Sequence, residues 1–106
     1  MESKIKRSLV IEARRCHLHG STYFTARIWV DGSQVALLPY QYGYESHYEY
    51  EAQKKLLELG WLPQDGKNSA MWSIAQELGF DFYSIVEDTT KKRMFKQYEN
   101  YQEVSA

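Results

Sequence analysis

Phe24, Ala26, Ile28 and Val30 alternate with Tyr23, Thr25, Arg27 and Trp29, the period of two by which a half-buried strand sends successive side chains to opposite faces. Asp31-Gly32 follows, a pair suited to the positive φ angles of a two-residue hairpin turn. Continuing through that turn, Ile28 is expected opposite Val35, Ala26 opposite Leu37 and Phe24 opposite Pro39, which gathers apolar residues on one face. The other face then pairs Trp29 with Gln34, Arg27 with Ala36 and Tyr23 with Tyr40, a mixed surface open to solvent or a partner. Upstream, Ile5, Leu9, Ile11 and Ala13 share one phase and predict a first strand near residues 4–17, with Gly20-Ser21 in the turn. Three strands in an antiparallel meander result.

The period then changes. Ser46-His47-Tyr48-Glu49 has the spacing of a capping box, so a helix is expected to start at His47. Tyr48, Ala52, Leu56 and Leu59 give it one apolar face, and Gly60 with Trp61-Leu62-Pro63 ends it. Asn68 or Ser69 is placed to cap a second short helix whose Met71, Ala75 and Leu78 share a face, and Trp61 and Trp72 are assigned to the core. Residues 80–88 admit two readings. Ala75, Gly79 and Ile85 have a helix-turn-helix spacing, but Asp88 falls where that motif buries an aliphatic side chain. The aromatic and β-branched content favours a fourth strand. Lys91 to Lys96 follow as a short basic helix or turn. The fold class expected is α+β: a three-stranded antiparallel meander, two helices and a fourth strand. A single domain over 1–98 precedes a frayed tail over 99–106.

Composition narrows the class. At 106 residues the chain has room for one modest core. Its 15% aromatic content places large rings with polar tips in that core or on the surface. Cys16 is the sole cysteine, so an internal disulfide is excluded and a reducing compartment is expected. The charged N-terminus has the apolar length of neither a signal peptide nor a membrane span, so a cytoplasmic protein with no membrane partner is expected. The net charge of −1 conceals a segregation. Residues 1–30 carry six Lys/Arg against two acids, residues 31–90 three against ten, and residues 91–106 four against two.

Three constellations carry candidate chemistry. The first is the run from Leu37 to Ala52, which holds five of the nine tyrosines. Tyr40, Tyr42, Tyr44, His47 and Tyr50 stand there in an acidic setting, a composition suited to a protein partner because tyrosine offers large contact area at low entropic cost. The second is basic: Lys4, Lys6, Arg7, Arg14 and Arg15, with Lys91, Lys92, Arg93 and Lys96, give an alternative nucleic-acid surface. A meander followed by a helix is also the order of the last part of a double-stranded-RNA-binding domain. There, lysines at the helix start hold phosphate, whereas this helix starts amid Glu45, Glu49 and Glu51. The third is His17, His19 and His47, which would need Glu45 or Glu49 to complete a metal site. Cys16 and His17 are strand neighbours pointing to opposite faces and form no nucleophile–base pair. With no phosphate loop, nucleophile elbow or two-metal pattern, the chain is read as non-enzymatic and without a cofactor.

From His17-Leu18-His19-Gly20 through Trp29-Val30-Asp31-Gly32 to Pro39-Tyr40-Gln41-Tyr42-Gly43-Tyr44 and His47-Tyr48, the chain resembles a group of small proteins encoded in bacteriophages and prophages. In that group a strand hairpin leads into a Pro-aromatic-x-Tyr-Gly-Tyr stretch and then a helix. The resemblance covers residues 9–62 most clearly. It implies a phage or prophage setting and carries over no catalytic residue. The function expected is binding, to a host or phage protein.

Overall fold

The computed structural model describes residues 7–43, 45, 47–63, 70–90 and 103–106. Its order is β1 (Arg7–Leu18), β2 (Ser21–Val30), β3 (Ser33–Tyr42), α1 (His47–Glu58), α2 (Met71–Glu77) and β4 (Phe80–Asp88). The strands form one sheet in the order β3-β2-β1-β4. β1, β2 and β3 are an antiparallel meander, and β4 lies parallel to β1. A parallel neighbour needs a long crossover, and the helical stretch between β3 and β4 supplies it. The fold is α+β, and residues 80–88 are a strand.

Two tight turns fix the meander. Asp31 and Gly32 have φ of 51° and 83°, and His19 and Gly20 have 51° and 80°, the left-handed pairs of a twist-matched hairpin. The first turn pairs Val30 with Ser33 as expected; the second pairs Leu18 with Ser21, one residue earlier than Gly20-Ser21 predicted. Asp31 also ties the turn to β1. Its Oδ1 accepts from the Ser8 amide at 3.0 Å and its Oδ2 from the Arg7 guanidinium at 3.1 Å. The Ser8 amide, then Arg7, hold the Asp31 carboxyl below its usual 3.8. A depressed carboxyl stabilises the fold above its unfolded value and ceases to do so as pH falls through the lower folded value. Asp31→Asn is therefore expected to flatten the loss of thermal stability as pH falls below about 4 relative to wild type; an unchanged acid profile by calorimetry would refute this role.

Register departs from expectation beyond the first turn. Trp29 pairs with Gln34, but Ile28 then meets Ala36, Ala26 meets Leu38, Phe24 meets Gln41 and Tyr23 meets Tyr42. Bulges between Ile28 and Trp29, and between Phe24 and Ala26, account for both slips. The first leaves Val35 without a partner on β2 and puts Ala36 and Leu38, rather than Leu37, on the core face. Since side chains alternate strictly, one extra residue reverses every later face assignment.

Both helices cover that core face. Leu9, Ile11, Ala13, Phe24, Ala26, Ile28, Ala36 and Leu38 from the sheet pack with Tyr48, Ala52 and Leu56 of α1 and Met71, Ile74 and Ala75 of α2. Tyr48 Oη shares a 2.8 Å hydrogen bond with Ser84 Oγ, which gives the buried phenol a partner on β4. α1 ends as its Gly60 predicts. Gly60 has φ 86°, its amide donates to Leu57 O and the Trp61 amide to Leu56 O at 2.8 Å, the paired bonds of a Schellman stop. The capping residues Ser46, Asn68 and Ser69 lie outside the described residues. The residue before α2 is Ala70, with no side-chain cap.

Two core assignments change. α2 buries Met71, Ile74 and Ala75, so Leu78 and Trp72 stand outside, Trp72 at 62% exposure. Trp61 packs against the core and donates from Nε1 to Val104 O at 2.8 Å. Within the tail expected to fray, residues 103–106 make contacts with the body of the protein. The Val104 amide donates to Val35 O and the Ala106 amide to Leu59 O, both at 2.9 Å, and Glu103 accepts from Lys55 Nζ at 2.8 Å. Residues 99–102 lie outside the described set.

Candidate functional site

Opposite the helices, the sheet presents a face that none of the described residues covers. Register and alternation lay it out in rows. Tyr83, Val10, Trp29 and Gln34 cross β4, β1, β2 and β3 in one row; Ile85, Glu12, Arg27 and Leu37 form the next. Glu87, Arg14 and Thr25 follow, then Cys16, Tyr23 and Tyr42, with Leu18 and Ser21 beyond them at the His19-Gly20 turn. Tyr83, Ile85 and Tyr42 are 59%, 57% and 51% exposed, whereas the helix side of β1 and β2 buries Leu9, Ile11, Ala13, Phe24, Ala26 and Ile28.

Aromatic contact organises the end of this face. Tyr23 stacks on Tyr40 with centroids 5.0 Å apart and planes 6° from parallel, and meets Tyr42 edge-on at 5.9 Å. Such offset and edge contacts add to the area the rings bury. Burial, then the adjacent Cys16, pushes the Tyr40 phenol up to about 12. It therefore stays a neutral hydrogen-bonding group at any physiological pH. Thr25 and Cys16, on the same face of the sheet, are buried. At its centre Arg27 Nη1 lies 3.6 Å from Glu12 Oε1.

The tyrosine run divides between two places. Tyr40 and Tyr42 belong to the open face, while His47 and Tyr50 belong to α1 on the helix side. There His47 contacts the Phe24 and Tyr50 rings at 6.0 Å and 5.7 Å, its Nε2 lies 3.3 Å from Glu51 Oε1, and Lys54 Nζ sits over Tyr50. Tyr44 lies outside the described residues. Between the two groups passes Gly43, whose amide donates to Thr22 O at 3.0 Å. A Cβ there would fall 2.6 Å from Phe24 Cε1 and 2.7 Å from His47 Cδ2, so this crossing requires glycine.

The histidines do not assemble a metal site. No three His, Cys, Asp or Glu side chains among the described residues gather in a metal-holding group. His17 Nδ1 pairs with Thr22 Oγ1 at 3.0 Å and its Nε2 lies 3.8 Å from Asp88 Oδ1, while His47 is committed to α1. His19 sits in its turn at φ 51°.

The basic candidates that are described are engaged. Arg7 binds Asp31 and lies over the Phe80 ring at 4.5 Å. Arg15 Nε donates to Asp88 Oδ1 at 2.8 Å, which raises the guanidinium and lowers the carboxyl. Arg14 stands in the Glu87 row of the open face. Lys4, Lys6, Lys91, Lys92, Arg93 and Lys96 lie outside the described residues.

Tyr83 and Ile85 are the face residues that sequence reasoning missed. Their row neighbours Val10 and Glu12 lie some seventy positions away in sequence, and only the parallel pairing of β4 brings them together. No described helix is long and apolar enough to cross a membrane. The molecule is thus a small α+β protein with helices on one face of a mixed sheet and an aromatic, mixed-charge surface on the other. Compared with family models, curated proteins and solved structures, the chain gives no match.

Proposed function

We propose that this chain is a non-enzymatic binding protein that engages another protein, of the host or of a phage, through the open face of its sheet. One observation carries the reading: Tyr23, Tyr40, Tyr42, Trp29, Tyr83 and Ile85 share a single sheet face, opposite the one on which both helices pack. Rigid aromatic anchors around a partly desolvated ion pair are the composition of protein interfaces. The phage setting is supported by the Pro-Tyr-Gln-Tyr-Gly-Tyr resemblance, and a cytoplasmic location by the single buried thiol. Capture from a native host lysate is expected to fall by about tenfold or more in Tyr42→Ala. Tyr50→Ala, on the helix side, serves as the control. Equal capture by both folded variants would remove the open face from the reading.

The stacked tyrosines also suit single-stranded nucleic acid, which reads such platforms by base stacking. Charge argues for the protein. Asp81, Glu12 and Glu87 share the face with Arg14 and Arg27, while Arg7 and Arg15 are committed to carboxylates. A salt titration with single- and double-stranded DNA and RNA is expected to show no binding even at about 50 mM salt. Retention there, lost in Tyr42→Ala, would transfer the function to nucleic acid.

A further inference from the structure

We infer that the outer edge of β4 takes up an extended segment of the protein partner as a fifth strand, and that this segment carries basic residues on either side of an apolar pair. The inference rests on the reading of this chain as a protein-binding module. Its starting point is a difference between the two edges of the sheet. β3 is blunted: it has two bulges, Pro39 has no amide to donate, Gln41 Nε2 donates to the Pro39 carbonyl at 3.0 Å, and the Val104 amide occupies Val35 O. These are the devices by which an edge avoids foreign strands. Among the described residues β4 shows none of them. It runs nine residues in continuous register with β1, without proline or lysine, and its Tyr83, Ile85 and Val86 are exposed. Such an edge is a template for strand addition, main-chain bonds giving affinity and alternate side chains giving specificity.

Charge selects the occupant. On the open face β4 presents Asp81, Tyr83, Ile85 and Glu87 in alternate positions, while Asp88 turns to the other face and binds Arg15. A second copy is a poor fit, because antiparallel pairing about Ser84 would set Asp81 against Glu87 twice, and like charges directly opposite destabilise a sheet. The complement is a strand with the order basic, apolar, apolar, basic at every second residue. That order reads the same in both directions, so it fits a parallel or an antiparallel strand. The incoming apolar pair would extend the Tyr83–Val10–Trp29 row and its neighbour, joining the edge to the open face.

The test uses the full chain and a synthetic peptide, acetyl-Ser-Lys-Thr-Val-Thr-Val-Thr-Lys-Ser-amide, with a second peptide carrying Glu in place of both Lys. Binding of the basic peptide is expected by fluorescence anisotropy, with new hydrogen-exchange protection confined to β4 amides. Ile85→Lys is expected to weaken it about tenfold or more, and Glu87→Lys about fivefold at low salt while improving the acidic peptide. Both changes replace exposed side chains, and far-UV circular dichroism checks that each variant is folded. No binding, equal binding of both peptides, protection on β3, or a wild-type dimer that buries β4 would each overturn the inference. Should Tyr42→Ala abolish capture of the native partner while Ile85→Lys and Glu87→Lys do not, the strand-addition inference fails and the open-face reading stands. If capture survives all three variants, both fail.

Discussion

Phe24→Ala is expected to lower the free energy of unfolding by about 3–5 kcal/mol, most of what a domain of this size has to lose. The ring is 2% exposed and sits where three pieces of the structure meet. It is in edge contact with Tyr48, with centroids 6.5 Å apart, and with His47 at 6.0 Å, and it lies directly under the Gly43 backbone. Removing it opens a cavity beneath the passage from β3 into α1. The walls are poorly able to close it. Tyr48 is held to Ser84, and Gly43 is held to Thr22. Urea unfolding, with the slope unchanged, measures the effect. A loss below about 1 kcal/mol would mean that α1 settles into the space and that the first turn of α1 is less constrained than its contacts indicate.

This junction also shows what was legible in the chain and what was not. Strict alternation from Tyr23 to Val30 and the Asp31-Gly32 pair made the β2–β3 hairpin readable, since each demands its own backbone geometry. Val35-Ala36-Leu37-Leu38 could not be placed the same way. Four consecutive apolar residues satisfy either phase, and the strand carrying the bulge that decides between them offers the Val35 carbonyl to the Val104 amide, a contact sixty-nine positions distant. Trp72 was misassigned for a related reason. Met71, Ala75 and Leu78 and Met71, Ile74 and Ala75 are both acceptable helical stripes; the second is the one that packs, and it turns Trp72 outward.

The candidate site was half legible. Alternation placed Tyr23, Arg27 and Trp29 on the second face of the hairpin, and that face is the open one. The tyrosine run promised a single surface, yet Tyr40 and Tyr42 end on the sheet whereas His47 and Tyr50 go with the helix. A run that crosses from period two to period 3.6 cannot keep one face. β4 was readable as a strand but not as a neighbour of β1. Its apolar residues occupy both phases, which ordinarily signals burial on two sides. At an edge those same residues leave Tyr83 and Ile85 outside, and the parallel pairing carries them into the surface with Val10 and Trp29.

Gly43→Ala is expected to cost about 1–3 kcal/mol, although a methyl group is the whole of the change. Its φ is not in the left-handed region, so the penalty comes from space alone. The added carbon would meet Phe24 Cε1 at 2.6 Å and Phe24 Cδ1 at 3.0 Å, and His47 Cδ2 at 2.7 Å. Phe24 is walled in and its contact stays strained, whereas the His47 side chain is 42% exposed, so the imidazole yields and relieves its own contact. Its displacement breaks the approach to Glu51 and the contact with Tyr50, while the Tyr23–Tyr40 stack on the far face is left in place. Phe24→Leu removes the ring atom that clashes first, so in that background Gly43→Ala should cost about 1 kcal/mol less than in wild type. Additive losses across the double-mutant cycle would show that the strain is relieved through His47 alone. Because the open face is spared, capture that depends on Tyr42 should survive Gly43→Ala in whatever fraction remains folded. Its loss at matched folded concentration would instead tie the binding surface to the helix side, through His47 and Tyr50.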